Sequence, residues 1–448
     1  MRNINTFENG FDPLDDIFVR KPLYDLIMRF VHGQADDGLV LALDDRWGNG
    51  KTTFIKMLVS EVNKNESTDD VNVIYYDAFE NDCHSEPFLS LTSEIYQSID
   101  NKKSKMEKIK AAIVDSGKKV GVNLIKSGAS YAVTTLSAGL LNGSVLEGVK
   151  DKVSSSLSDP LEKYIEERIQ SGRKDKEEIT VFKNALKSIY DNGGKKTIFI
   201  IDELDRARPD FALELLEKVK HIFSVRGFVF LLSLNREQFE KSIEKRYGNI
   251  DSSLYLNKFV DYWFSLPKIS SLDKIGGVHH ARSTMVTQIR ELDKGVNVLS
   301  RNGGVEGVLV HLLEVYGCSL REAEKCCKLI HAIENREGIN NFSRETDLAL
   351  LSLVVFLKVT NPTLLDGIRR RVIDKQEVFK RLGILNANND YILTLQHVLN
   401  YHYATDDELI EARKNRSFAD IESFIHPGAR RDVFAAVAGI IQFLKINK

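Results

Sequence analysis

Residues 47–54 read Trp47-Gly48-Asn49-Gly50-Lys51-Thr52-Thr53-Phe54, and their neighbourhood decides the fold. An apolar run, residues 39–43, leads in, and a helix-compatible run, residues 51–62, leads out. Strand, glycine loop and helix in that order build a phosphate-binding loop. Gly48 and Gly50 let the backbone turn tightly and aim its N–H groups at phosphate oxygens. The helix starting near Lys51 adds the positive end of its dipole. Residues 47–50, with Thr53 in support, are expected to hold the nucleotide, and Lys51 to reach its β- and γ-phosphates. Thr52 is expected to place its hydroxyl on magnesium. Phosphate chemistry does not ask for Trp47, which is read as a wedge of the loop against the core.

A second run, TIFIIDELDR at residues 197–206, supplies the acidic partner. Ile198, Phe199, Ile200 and Ile201 are the residues of a buried strand, and that strand delivers Asp202 to its C-terminal tip. Asp202 is expected to hold magnesium through water, and Glu203 to orient or deprotonate the attacking water. Asn235 follows another apolar run, residues 228–234. It reads either as a polar group beside the γ-phosphate or as the cap of the helix that starts near Arg236. Arg206, Arg208, Arg236 and Arg321 are candidates to neutralise charge developing on the γ-phosphate, with surface ion pairs the equal alternative and the preferred one for Arg208. The loop departs from its pattern where Asp45 stands at a position that is usually glycine. A carboxylate there either weakens phosphate binding or marks a position with ordinary dihedrals.

The chain is long enough for two or three domains at 448 residues. Its 43% hydrophobic and 28% charged content is that of a globular protein, and a net charge of -2 argues against a strongly basic nucleic-acid binder. Cys83, Cys318, Cys326 and Cys327 form no pair of CxxC units and read as reduced thiols in a cytosolic protein. The opening residues hold no apolar stretch of the signal-peptide kind. A strand at residues 71–76, expected to be buried on both faces, and a helix at 88–99 continue an alternation typical of a parallel α/β sheet. Residues 127–146 carry no charge. They read as a buried helical hairpin or a helix packed on a partner, with a membrane span as the lesser alternative. The expected architecture is an α/β core with a parallel sheet over residues 1–270, interrupted by a helical insertion at about 101–180. A mainly helical C-terminal domain is expected over 271–448.

These motifs together resemble the KAP family of P-loop NTPases, related to the STAND and AAA+ types, over roughly residues 15–270. The resemblance rests on Arg20 before the first helix, on the loop from Trp47 to Thr52, and above all on Ile201-Asp202-Glu203-Leu204-Asp205-Arg206. Tyr76-Asp77-Ala78-Phe79 followed by Glu86-Pro87 is a degenerate match, as is Asn235-Arg236 where the family usually has Asp-Arg. The run from Tyr255 to Phe259 fits a further family element. The resemblance implies roles for Asp205 and Arg206 in site geometry or intersubunit contact, a lid arginine near Arg321, and a bacterial setting of anti-phage defence or exclusion. Family members commonly insert membrane helices where residues 127–146 lie here.

The expected activity is that of a magnesium-dependent ATPase acting as a molecular switch, with ATP and Mg2+ as cofactors, although no motif tells ATP from GTP. A homo-oligomer and a separate effector protein are the expected partners. The alternatives are a nucleotide-binding scaffold with little hydrolysis, a DNA-stimulated accessory, and an organiser peripheral to the inner membrane. Lys102, Lys103, Lys105 and Lys108, then Lys118 and Lys119, and Arg369, Arg370 and Arg371 are the basic stretches a nucleic acid would meet.

Overall fold

The structure, a computed structural model, describes residues 7, 9–33, 38–64, 71–83, 86–99, 104–126, 158–275, 278–294, 299, 303–337, 344–386, 389–422 and 433–434. The chain divides into two compact units. One comprises Met1–Asp16, Arg20–Arg46 and Gly50–Leu266, and the other Ile17–Val19, Trp47–Asn49 and Pro267–Lys448.

In the first unit the order is α1 (Lys21–Gly33), β1 (Leu39–Asp44), α2 (Lys51–Lys64), β2 (Val71–Asp77), α3 (Pro87–Ser98), α4 (Ser104–Lys126) and α5 (Ser158–Gly193). There follow β3 (Lys196–Asp202), α6 (Pro209–Lys218), a π-helical turn (Val219–Phe223), β4 (Phe228–Leu234), α7 (Arg236–Tyr247), α8 (Ser252–Leu256) and β5 (Tyr262–Ser265). The five strands form one sheet in the order β2-β3-β4-β1-β5, and every pairing is parallel. The P-loop NTPase-like α/β class is the one expected.

Side chains alternate across a strand, so the sheet builds two cores. On one face Val40, Ala42, Phe199, Ile201, Phe230 and Leu232 pack against α3, α6 and the insertion helices. On the other face Leu41, Leu43, Ile198, Ile200, Val229 and Leu231 pack against α1 and α2. Phe199 and Phe230 stack at 5.4 Å between neighbouring strands. Phe182 of α5 meets Phe88 of α3 at 5.1 Å and Phe223 of the π-turn at 5.7 Å, which ties the insertion to the sheet's helical layer. A single helix, α5, runs through residue 180, where the insertion was expected to end.

Two expectations are corrected here. β2 is not buried on both faces: Asn72 is exposed and Val73 and Tyr75 are half-buried, because β2 is an outer strand of the sheet. The region after residue 270 is not helical from its start. β6 (Ile269–Ile275) and β7 (Val278–Ser283) first pair as an antiparallel hairpin. The helices α9 (Thr284–Asp293), α10 (Gly303–Val315), α11 (Leu320–Glu337), α12 (Glu345–Thr360), α13 (Pro362–Arg369), α14 (Lys375–Arg381), α15 (Asp390–Tyr403), α16 (Asp406–Asn415) and α17 (Ala419–Glu422) follow among the described residues of the second unit. Every residue of α12 from Leu348 to Leu357 is buried, so this helix is the centre of its own core. The uncharged segment 127–146 lies outside the described residues. No helix among the described residues is long and apolar enough to cross a membrane.

A buried carboxylate marks the join between α6 and α8. Glu217 is 4% exposed, and its Oε1 accepts hydrogen bonds from the hydroxyls of Tyr247 and Tyr255, each at 3.1 Å. Burial raises its pKa, against the two tyrosine hydrogen bonds and the charges of Lys218 and Arg246, which lower it. A raised carboxylate pKa means that the fold favours the protonated form. The cost of ionisation is absent below the unfolded pKa and grows as pH rises through the folded one. Glu217→Gln keeps an oxygen for both tyrosines. The variant is expected to melt at a higher temperature than wild type at pH 8, with the difference closing as pH falls toward the unfolded carboxylate range. Thermal melting of both proteins across that range checks it, and equal melting temperatures at pH 8 would count against it.

Candidate functional site

Parallel strands end on the same side, and here that side is polar. β1 ends at Asp44, β2 at Asp77, β3 at Asp202, and Asn235 follows the last residue of β4. Register sets these ends beside one another: Asp77 pairs with Asp202, Ile201 with Leu232, and Asp44 with Leu234. The apolar strand interiors thus carry a row of polar groups to the C-terminal edge of the sheet.

The glycine loop joins β1 to α2. Gly50 has φ +87°, a conformation that only glycine takes without strain. Lys51 opens α2, and its ammonium is 2.5 Å from the carbonyl oxygen of Asp45 and 3.4 Å from that of Arg46. The loop's own carbonyls therefore hold the cation in place. Burial lowers the pKa of Lys51, and the nearby carboxylates, Asp205 foremost and then Asp45, Asp202 and Asp44, act against that shift. Thr52 and Thr53 follow, both half-buried.

The acidic side faces Thr52. The Thr52 hydroxyl donates to Glu203 Oε1 at 3.5 Å. Glu203 Oε2 accepts from Arg206 Nη1 at 2.6 Å. Glu203 has φ +55°, a strained position for a side-chain-bearing residue, and its N–H donates to Asp202 Oδ1 at 2.9 Å. Burial raises the Glu203 pKa and Asp202 and Asp77 add to the rise, while Arg206 opposes it. Asp202 is 1% exposed, and its Oδ2 accepts from the Tyr75 hydroxyl at 3.4 Å. Tyr75 escapes a reading of the sequence. It lies on β2, two residues before the Asp77 that pairs with Asp202, and only knowledge of the strand order puts the two together.

The structure gives several candidates structural partners. Asn235 caps α7, its side-chain oxygen accepting from Gln238 N–H at 3.3 Å. Arg236 pairs with Glu240 at 2.8 Å, lies 4.5 Å over the Trp263 ring and donates to the Ser253 hydroxyl. Arg208 donates to Asp82 through its backbone at 2.9 Å and through its guanidinium to the Asp82 carbonyl. Of the four candidate arginines, Arg206 is the one that meets Glu203.

Residues Trp47, Gly48 and Asn49 pack with the second unit. Within that unit, Gly48 accepts from Arg321 N–H at 3.2 Å through its carbonyl, and Asn49 Oδ1 accepts from Leu320 N–H at 3.2 Å. Gly48 has φ +87°. Trp47 is 44% exposed, so its ring is not buried as the expected wedge against the core would be.

The profile of the KAP family P-loop domain matches residues 20–334. The phage T7 exclusion protein of Escherichia coli K12 is 24% identical over 192 residues, which cover 43% of this chain and 25% of that protein. The chain thus spans about a quarter of the length of that relative. An uncharacterised protein of Methanocaldococcus jannaschii is 33% identical over 154 residues, 31% of this chain and 77% of that one. Among solved structures, the Aeropyrum pernix ORC2 protein in its ADPNP–ADP complexes is 12% identical. It covers 90% of this chain and 94% of that chain, with a TM-score of 0.36.

Gly50→Ala places a Cβ 2.9 Å from Arg20 Nη1 on a backbone of positive φ. The variant is expected to lose about 1–2 kcal/mol of stability, the usual cost of a side chain in the left-handed region. Urea unfolding checks this, and an unchanged midpoint would contradict the strained geometry of the loop.

Proposed function

The chain belongs to the KAP family of P-loop domains, and from its site we propose a magnesium-dependent ATPase that works as a molecular switch in bacterial anti-phage defence, as a homo-oligomer in the cytoplasm with a separate effector protein. The observation that carries the reading is the approach of the loop's Thr52 hydroxyl to the Glu203 carboxylate, 3.5 Å, with Lys51 among the Asp202 and Asp205 charges. Those are the loop and the acidic strand end that phosphoryl transfer needs at one place. The defence setting draws on the likeness to the phage T7 exclusion protein.

The Thr52 hydroxyl and the Asp202 carboxylate are hard oxygen donors of the kind magnesium takes, and both would hold it. Magnesium, when bound, would neutralise charge on the β- and γ-phosphate oxygens. Lys51 would exchange the carbonyls of Asp45 and Arg46 for phosphate oxygens. Glu203 would accept a proton from the attacking water, and Arg206 would set its readiness to do so. Asn235 would turn its amide N–H groups toward the γ-phosphate or the lytic water. A scaffold that holds nucleotide with little turnover is the second reading, and the pairing of Glu203 with Arg206 favours it, because that carboxylate is already engaged.

Steady-state ATP turnover by wild type, Lys51→Ala and Glu203→Gln, with and without magnesium and duplex DNA, tests the reading. Both variants are expected to fall by about 10²-fold or more, Glu203→Gln while still retaining nucleotide. Equal turnover in all three proteins would refute the ATPase. Turnover near background in wild type, with tight nucleotide retention, would select the scaffold. Arg206 lowers the Glu203 pKa, so Arg206→Ala should raise it. A base works deprotonated, so the acid limb of the kcat–pH profile is expected to move to higher pH in that variant. An unmoved limb would remove Glu203 from the role of base.

A further inference from the structure

Asp45 stands where a phosphate loop usually has glycine, and it is 8% exposed. A buried carboxylate next to a site for triphosphate is costly unless a positive group answers it. Three backbone ties fix Asp45. Its N–H donates to the Leu234 carbonyl at 3.3 Å, its Oδ1 accepts from Arg46 N–H at 2.7 Å, and its carbonyl accepts from Lys51. The residue therefore belongs to the frame of the loop, linked to both β4 and the lysine.

The answering charge comes from the N-terminal segment. Arg20 is 3% exposed, and its Nη1 donates to the carbonyl of Gly50, the last residue of the loop, at 3.2 Å. The backbone N–H groups of Arg20 and Lys21 are held by the two oxygens of Asp16, at 2.8 and 2.9 Å, which fixes the entry to α1. Burial lowers the Arg20 pKa to about 10, and the charges resisting that shift are Asp45 first and Asp16 second. Gly50 leaves room for the guanidinium, since a Cβ there would lie 2.9 Å from Nη1.

We propose that Arg20 and Asp45 form a mutually dependent buried pair that positions the phosphate loop, the guanidinium bracing the end of the loop at Gly50 and the carboxylate bracing its beginning. Asp45 is a positioning residue, and the departure from glycine is a working part of this site. Replacing Asp45 by glycine therefore harms the loop in this chain, because it leaves the buried Arg20 guanidinium with Asp16 as the remaining carboxylate that resists its loss of charge. This inference rests on the nucleotide-binding reading of the loop.

The test uses the full chain and a fluorescent ATP analogue with magnesium, in wild type, Asp45→Gly, Asp45→Asn, Arg20→Met and the double variant Arg20→Met/Asp45→Gly. Melting of each nucleotide-free protein runs in parallel. Each single variant is expected to bind the analogue at least 10-fold more weakly at a temperature where its far-ultraviolet circular dichroism matches wild type. Asp45→Asn keeps the shape and the acceptor for Arg46 N–H but not the charge, so it should behave as Asp45→Gly does. The double variant should lose less affinity than the product of the single losses, and its melting shift should be smaller than their sum. Asp45→Gly binding as tightly as wild type, or losses that multiply independently, would overturn the proposal. Wild-type protein that binds no analogue, as Lys51→Ala would, sinks the nucleotide reading and with it the loop-positioning role. The melting cycle then decides the pairing alone, and additive shifts overturn that as well.

Discussion

The parallel register of β2, β3, β4 and β1 is the constraint on which the site depends. Parallel strands buried on both faces can place polar residues only at their ends. This sheet keeps Phe199, Ile200, Ile201, Phe230 and Leu231 fully buried up to the edge. The pairing of Asp77 with Asp202 and of Asp44 with Leu234 then brings β2, β3, β1 and β4 to the same edge within one residue. A slip of one residue in β3 would turn Phe199 and Ile201 toward the face of α1 and α2, and would carry Asp202 to the wrong face. The two cores on either side of the sheet therefore protect the chemistry as well as the fold.

The same edge gathers more negative than positive side chains, and the structure balances them locally. Lys51 lies among Asp205, Asp45, Asp202 and Asp44, Arg206 meets Glu203, and Arg20 answers Asp45. Low local dielectric makes each pairing stronger than it would be in water, and makes each unpaired member costly. The hydrogen bond from Tyr75 to Asp202 adds a neutral donor to the set. Such mutual neutralisation explains how a sheet edge with Asp44, Asp45, Asp202, Glu203 and Asp205 stays folded before any ligand supplies its own charges.

Features written in short stretches of sequence were legible. Residues 39–54 showed strand, loop and helix because glycines, a lysine and apolar runs stand in fixed order, and β3 showed itself by four apolar residues ending in Asp202. Features set by distant neighbours were not. The outer position of β2 depends on strand order, which Val71–Asp77 does not encode, and so Val73 and Tyr75 looked more buried than they are. The hairpin of Ile269–Ile275 with Val278–Ser283 is rich in polar residues and shows no apolar alternation strong enough to announce strands. At the site, Tyr75, the answer of Arg20 to Asp45 and the exposure of Trp47 are all long-range facts. The choice at Asn235 was left open in the sequence, and in the structure its oxygen caps α7.

That cap fixes the polarity of what remains at the end of β4. An asparagine carries one acceptor oxygen and two amide donors. At Asn235 the oxygen accepts from Gln238 N–H, and the two amide N–H groups take no part in the cap. An aspartate here would keep a second oxygen and a full negative charge after making the same cap. With asparagine, this corner of the sheet edge stays uncharged and keeps donors to offer. Its amide donors suit an oxyanion or a water molecule.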